Sequence, residues 1–187
     1  MNTIFHSFLL VFVGEMGDKT QLLALILVSK YKKPWTILLG IFIATILNHA
    51  LASWFGEWAS SLFSTETMTW ILAASFLAFA IWVLFPDKEG DLDNKNKFGP
   101  LLTTIVTFFI AEMGDKTQVL TVALGAKYTD ITLVTIGTTL GMLASNALAV
   151  FLGKNLLQKI PMKWVRITAS ILFFIFAIAI LVDRFYK

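Results

Sequence analysis

Two stretches of this chain are apolar enough to cross a bilayer, yet each carries the same charged heptapeptide near its centre. Glu15-Met16-Gly17-Asp18-Lys19-Thr20-Gln21 lies inside the apolar run Thr3–Ser29. It returns letter for letter as Glu112-Met113-Gly114-Asp115-Lys116-Thr117-Gln118 inside Pro100–Ala126. Each charge in a lipid-spanning helix costs about 2.5–3.5 kcal/mol on insertion scales. Two acids and a lysine in each of two spans must therefore face protein or water. The pattern predicts that the two blocks face each other and hold a metal cation.

The rest of the composition agrees with a membrane setting. The 187 residues are 57% hydrophobic and only 14% charged, with mean hydropathy +0.78, where a soluble domain is about 25% charged. The expected fold class is all-α, a polytopic membrane protein with no soluble domain of any size. The net charge of +3 implies no nucleic-acid partner, because most basic residues sit in short loops that act as topology signals. Absence of cysteine excludes disulfides and thiolate metal sites. The N-terminus lacks a basic leader and its apolar run contains Glu15, Asp18 and Lys19, so it reads as a retained span.

A spanning helix needs about 20 mostly apolar residues. Six stretches qualify: Thr3–Ser29, Pro34–Trp58, Thr67–Phe85, Pro100–Ala126, Asp130–Gly153 and Lys163–Val182. Pro34 and Pro100 suit a first helical turn, where no backbone donor is lost. Trp35, Trp58, Trp70, Trp164, Tyr31, Tyr128 and Tyr186 fall near segment ends, as an interfacial aromatic belt would.

The chain is also a duplication. A constant offset of 97 residues aligns the heptapeptides, Lys30-Tyr31 with Lys127-Tyr128, Gly40 with Gly137, and Ala50-Leu51-Ala52 with Ala147-Leu148-Ala149. It also aligns Phe76 with Phe173 and Phe79 with Phe176. Residues 1–86 form one three-helix repeat, 87–97 a polar cytoplasmic linker, and 98–187 the second repeat. Three is an odd number, so the second repeat is expected to be inverted. Loop charges agree: ten Lys and Arg fall on one side and three on the other. The positive-inside rule puts the ten in the cytoplasm and both termini outside. Inverted repeats with a midplane site recur in secondary transporters.

The second span of each repeat carries a stripe of small residues at steps of four: Gly40, Ala44, Asn48, Ala52 and Gly56, matched by Gly137, Gly141, Ser145, Ala149 and Gly153. Such a stripe lets helix backbones approach closely. Asn48 and Ser145 are candidates to support the site. His49, whose repeat mate is Asn146, reads as a packed polar residue rather than a ligand.

On a continuous helix Glu15, Asp18 and Gln21 would share a face, and so would Glu112, Asp115 and Gln118. Together they offer four carboxylates and two amide oxygens, a set suited to Mg²⁺, Ca²⁺ or Mn²⁺. Four acids less Lys19 and Lys116 leave a charge of −2, which a divalent ion balances. Carboxylates crowded out of water resist ionising together, so the group can take a proton when the metal leaves. Thr20 and Thr117 could supply hydroxyls to the site or bond back to helix carbonyls. Lys19 and Lys116 stand four residues after Glu15 and Glu112. They could pair within the helix, snorkel, or hold the acids between loads. Two other readings compete. The block could be ion-paired glue, although deep pairs do little more than offset their desolvation. The acids could also form an intramembrane aspartyl-protease dyad or serve a metal-dependent hydrolase, although no soluble substrate-handling region accompanies them.

The doubled Glu-Met-Gly-Asp-Lys-Thr-Gln, in two three-span halves joined by an acidic linker, resembles the small membrane cation exchangers marked by two E-x-G-D-[KR]-[ST] motifs. Bacterial manganese exporters and Golgi calcium/manganese transporters belong to that family. The resemblance implies export of Mn²⁺ from the cytoplasm, with Ca²⁺ as the other candidate cargo and protons as the counter-ion. It implies that Glu15, Asp18, Glu112 and Asp115 are the functional acids, that no resident cofactor is needed, and that the short chain sits in a bacterial inner membrane.

Overall fold

The apolar segments form eight α-helices in the computed structural model, which describes residues 2–85, 99–157 and 161–185. They are α1 (Asn2–Gly14), α2 (Lys19–Tyr31), α3 (Pro34–Ser60), α4 (Thr65–Trp82), α5 (Pro100–Glu112), α6 (Lys116–Tyr128), α7 (Ile131–Leu157) and α8 (Met162–Phe185). The polar linker expected at 87–97 lies outside the described residues.

Four of these helices, α3, α4, α7 and α8, are long and apolar enough to cross a membrane, and the chain is an all-α, multi-spanning membrane protein. The expected first and fourth spans are different. Each is interrupted at its charged block, giving α1 with α2 and α5 with α6, each helix 13 residues long. Thirteen residues extend about 20 Å, short of the ~30 Å hydrocarbon core. The hydropathy of the two runs is continuous, but their backbone is not.

Local chemistry sets the ends. Pro34 and Pro100 begin α3 and α5 in the first turn. The Ser64 hydroxyl accepts from the Thr67 amide and caps α4. α2 and α6 stop at repeat-equivalent residues in the left-handed region, Lys32 at φ 53° and Thr129 at φ 48°. In each case a single further residue precedes the next helix.

Packing exchanges partners between the halves. α3 follows α5 and then α6 with rising residue numbers: Gly40 lies against Leu101 and Thr104, Asn48 bonds to Phe109, and Gly56 lies against Val122 and Ala126. α7 follows α1 in the same way, with Gly137 against Ile4 and Ser7 and Gly141 against Phe8, Val11 and Phe12. The small-residue stripes are the reason. A Cβ added at Gly56 would stand 2.0 Å from the Val122 carbonyl oxygen, and one at Gly141 2.6 Å from that of Phe8. Gly153 is the exception: a Cβ there would meet nothing within 4 Å among the described residues, and it kinks α7 at φ 70°. α4 and α8 pack on each other, with Phe76, Phe79 and Phe173 in one apolar cluster alongside Leu10, Val11 and Leu124. Outward-facing apolar side chains are abundant, among them Trp35, Trp58, Trp70 and Trp164 near helix ends. A surface of this kind belongs in lipid.

Candidate metal centre

The two helix breaks are built alike. The last regular bond before the first is Glu15 N to Val11 O at 2.9 Å, after which Asp18 N turns back to Glu15 O at 3.1 Å. Gly17 takes φ 79° and Gly114 φ 75°, a left-handed conformation that glycine adopts without steric cost. Asp18 and Asp115 then stand extended at the N-cap positions of α2 and α6. Three residues on, the glutamines reach back: Gln21 Oε1 accepts from Gly17 N at 2.9 Å, and Gln118 Oε1 accepts from Gly114 N at 2.7 Å. This is the back-reaching half of a capping box, displaced by one residue. It corrects the expectation of a shared helical face, because no continuous helix runs through either block. Each amide oxygen proposed as a ligand accepts a backbone hydrogen bond instead of standing free.

The breaks bring acids from both halves together. Carboxylate oxygens of Glu15, Glu112 and Asp115 lie within 4.8 Å of one another, all three residues buried. Asp18 is buried beside them, with 6% of its surface exposed. The lysines pair across the halves. Lys116 Nζ lies 3.0 Å from Asp18 Oδ1, and Lys19 Nζ lies 3.0 Å from Asp115 Oδ1. The intrahelical pairs with Glu15 and Glu112 require a helix through the block, and the break removes it. In its place each half neutralises the aspartate of the other.

The glutamates are left to carry the residual charge, and they are not equivalent. Thr20 Oγ1 donates to Glu15 Oε2 at 2.7 Å, and Thr117 Oγ1 donates to Glu15 Oε1. Both threonine hydroxyls therefore serve one carboxylate. Glu112 is 1% exposed, and among the described residues neither of its oxygens has a hydrogen-bond partner. A buried carboxylate in that condition is costly unless it meets a proton or a cation. With two aspartates paired to two lysines, the formal balance of −2 falls on Glu15 and Glu112, where the carboxylate oxygens converge.

The stripe residues support the breaks from the opposite half. Gln21 Nε2 donates to both the backbone oxygen and the hydroxyl of Ser145, each at 2.8 Å. Asn48 Nδ2 donates at 3.1 Å to the carbonyl of Phe109, in the last turn of α5. Helix ends aimed at a midplane site are how broken-helix transporters meet ions: N-terminal amides favour anionic groups and freed carbonyls favour cations. The break itself was open to inference from Asp18-Lys19-Thr20-Gln21, whose spacing is a helix-start signature behind a glycine.

The family profile described as "Divalent cation/proton antiporter GDT1" matches residues 3–91 and 100–187. The chain is 43% identical over 180 residues to the "Putative manganese exporter" of Vibrio cholerae serotype O1, covering 96% of this chain and 90% of that protein. It is 28% identical over 195 residues to "GDT1-like protein sll0615" of Synechocystis, covering 91% and 92%. Against "GDT1-like protein 3" of Arabidopsis thaliana it is 25% identical over 206 residues, covering 95% and 70%. No solved structure shows a significant match. These relationships place the chain with transporters and not with intramembrane proteases or hydrolases, and the divalent ion is cargo, not a resident cofactor. The chain belongs to the GDT1 family of divalent-cation transporters.

Proposed function

We propose that the protein exports Mn²⁺, with Ca²⁺ as a second cargo, from the cytoplasm in exchange for protons, through a site formed where the two helix breaks meet. The carrying observation is the partnerless, buried Glu112 carboxylate beside Glu15 and Asp115. Hard divalent ions take such oxygen sets. Asp18 completes the acids, while Gln21 and Gln118 hold the backbone of each break and offer at most a remaining lone pair. The manganese assignment draws on the name of the Vibrio relative, because carboxylates accept Ca²⁺ as readily.

The proposal includes a six-span, inverted-repeat architecture. α1 with α2, and α5 with α6, are each long enough together to span. α3 runs alongside α5–α6 in rising order, while the short turn at Lys32-Lys33 sets it opposite to α2. The two interrupted spans then cross in opposite directions, with acids near the bilayer centre, and one half rocks against the other to expose them alternately. The reading places the chain in a bacterial inner membrane with both termini outside.

The test is transport into everted membrane vesicles. Mn²⁺ entry should alkalinise the lumen, and Glu112→Gln should lower both signals by at least the roughly 10–100-fold typical of losing a supporting bond around a metal. Manganese entry without a pH change rejects proton exchange. Unimpaired entry in Glu112→Gln, with normal membrane insertion, rejects the site.

A further inference from the structure

One buried polar feature lies outside the carboxylate cluster. α7 turns back after Thr129-Asp130 and so runs against α3, with which it packs. Thr135 Oγ1 donates to Ser53 Oγ at 3.3 Å and fixes their register. From that anchor, steps of three and four carry one face of α3 through His49 and Thr45, and the facing side of α7 through Thr139, Met142 and Asn146. Every one of these side chains is buried. Among the described residues, Thr45 Oγ1, both His49 ring nitrogens, Thr139 Oγ1 and Asn146 Oδ1 have no hydrogen-bond partner.

Five such atoms on two facing helices do not fit a packed core, where buried polar groups are bonded to protein or ordered water. Their chemistry discriminates between guests. A neutral imidazole presents one donor and one acceptor, a hydroxyl both, and an amide oxygen only an acceptor. A cation would satisfy the acceptors and be repelled by the donors, whereas water satisfies both kinds. The position is also specific. His49 follows Asn48, which holds the Phe109 carbonyl, and Asn146 follows Ser145, which holds Gln21. The middle of the seam is therefore level with the acids.

We infer that the α3–α7 seam is a water-binding route, centred on His49, by which solvent and the exchanged counter-ion reach the level of the carboxylates. The route for the counter-ion rests on the exchange proposed above, but the water does not. The test is radiolytic footprinting of the full chain in lipid nanodiscs, in which hydroxyl radicals born from bound water oxidise adjacent side chains. Met142 is the reporter. It is fully buried, with Sδ 3.2 Å from Asn146 Nδ2. Met142 should be oxidised in the native protein, and several-fold less in Thr45→Val/Thr139→Val, while exposed Met113 stays equal in both. The same variant should slow manganese-driven pH change in everted vesicles. Equal Met142 oxidation in native and variant overturns the route, and so does a lost footprint with an undiminished pH signal. A native protein that moves manganese with no pH change defeats the exchange reading and leaves the footprint to decide the seam.

Discussion

Replacing Lys116 with methionine removes the cation that faces Asp18 from the other half of the molecule and leaves most of the stem's packing in place. The pair is nearly dry, with side-chain exposures of 11% and 1%. Removing one partner of a buried pair costs about 3–5 kcal/mol, because the remaining charge is stranded. The second pair, Lys19 with Asp115, is wetter at 27% and 7%. Solvent screening should bring Lys19→Met down to about 1–3 kcal/mol, between the exposed and buried limits. At roughly 2–4 °C per kcal/mol for a chain of this size, Lys116→Met should lower the metal-free melting temperature by roughly 6–20 °C, and Lys19→Met by visibly less. Adding Asp18→Asn to Lys116→Met should restore most of the loss, since no charge is then stranded, yet transport should stay defective. The assay is thermal unfolding of purified protein in micelles, run as double-mutant cycles for Asp18/Lys116, Asp18/Lys19 and Glu15/Lys19. Coupling that is larger for either same-half pair than for Asp18/Lys116 would refute the cross-half pairing.

Two further outcomes test the architecture. Lys33 and Asp130 are repeat equivalents in the turns after α2 and α6. With no native cysteine in the chain, Lys33→Cys and Asp130→Cys should react with an impermeant thiol reagent from opposite faces of the membrane, and labelling from one face would reject the inversion. Gly56→Leu should sharply lower the yield of folded protein, since even a Cβ would lie 2.0 Å from the Val122 carbonyl oxygen. Gly99→Ala, where a Cβ meets nothing within 4 Å among the described residues, should cost only the N-cap preference for glycine over alanine at the start of α5, on the order of 1 kcal/mol or less.

The sequence makes some levels of this structure legible and conceals others for definite reasons. Prolines 34 and 100 mark helix starts because ring geometry and a missing donor act locally. The stripes on α3 and α7 announce close packing because only small side chains permit it, and Gly40, Gly56, Gly137 and Gly141 all pack tightly. What the stripes do not disclose is their partner, since a groove of glycines suits any helix of fitting shape. The breaks at Gly17 and Gly114 are concealed by a different effect. Hydropathy is averaged over a window, and flanking apolar turns outweigh two residues of irregular backbone. The helix-start spacing of Asp18 and Gln21 carries the information, but inside an apolar run it competes with a strong spanning signal. A helix continued through it would have a shared acidic face and an intrahelical lysine pair, and both vanish together once the helix ends at Gly14.

The unequal glutamates belong to a level that the heptapeptides themselves cannot encode, because the two are identical. Thr20 and Thr117 occupy equivalent positions and yet both serve Glu15. An asymmetry between identical segments must come from their settings: Gln21 is tied to Ser145 of α7, whereas Asn48, the repeat mate of Ser145, binds the Phe109 carbonyl. One local sequence thus supports two hydrogen-bond arrangements. An inverted-repeat exchanger would reach its opposite-facing state by trading the conformations of its halves, and the hydroxyls would then sit on Glu112 with Glu15 partnerless. That trade changes few bonds in number, so the two states can lie close in energy. A cation that binds one better than the other could then shift the balance with modest differential affinity.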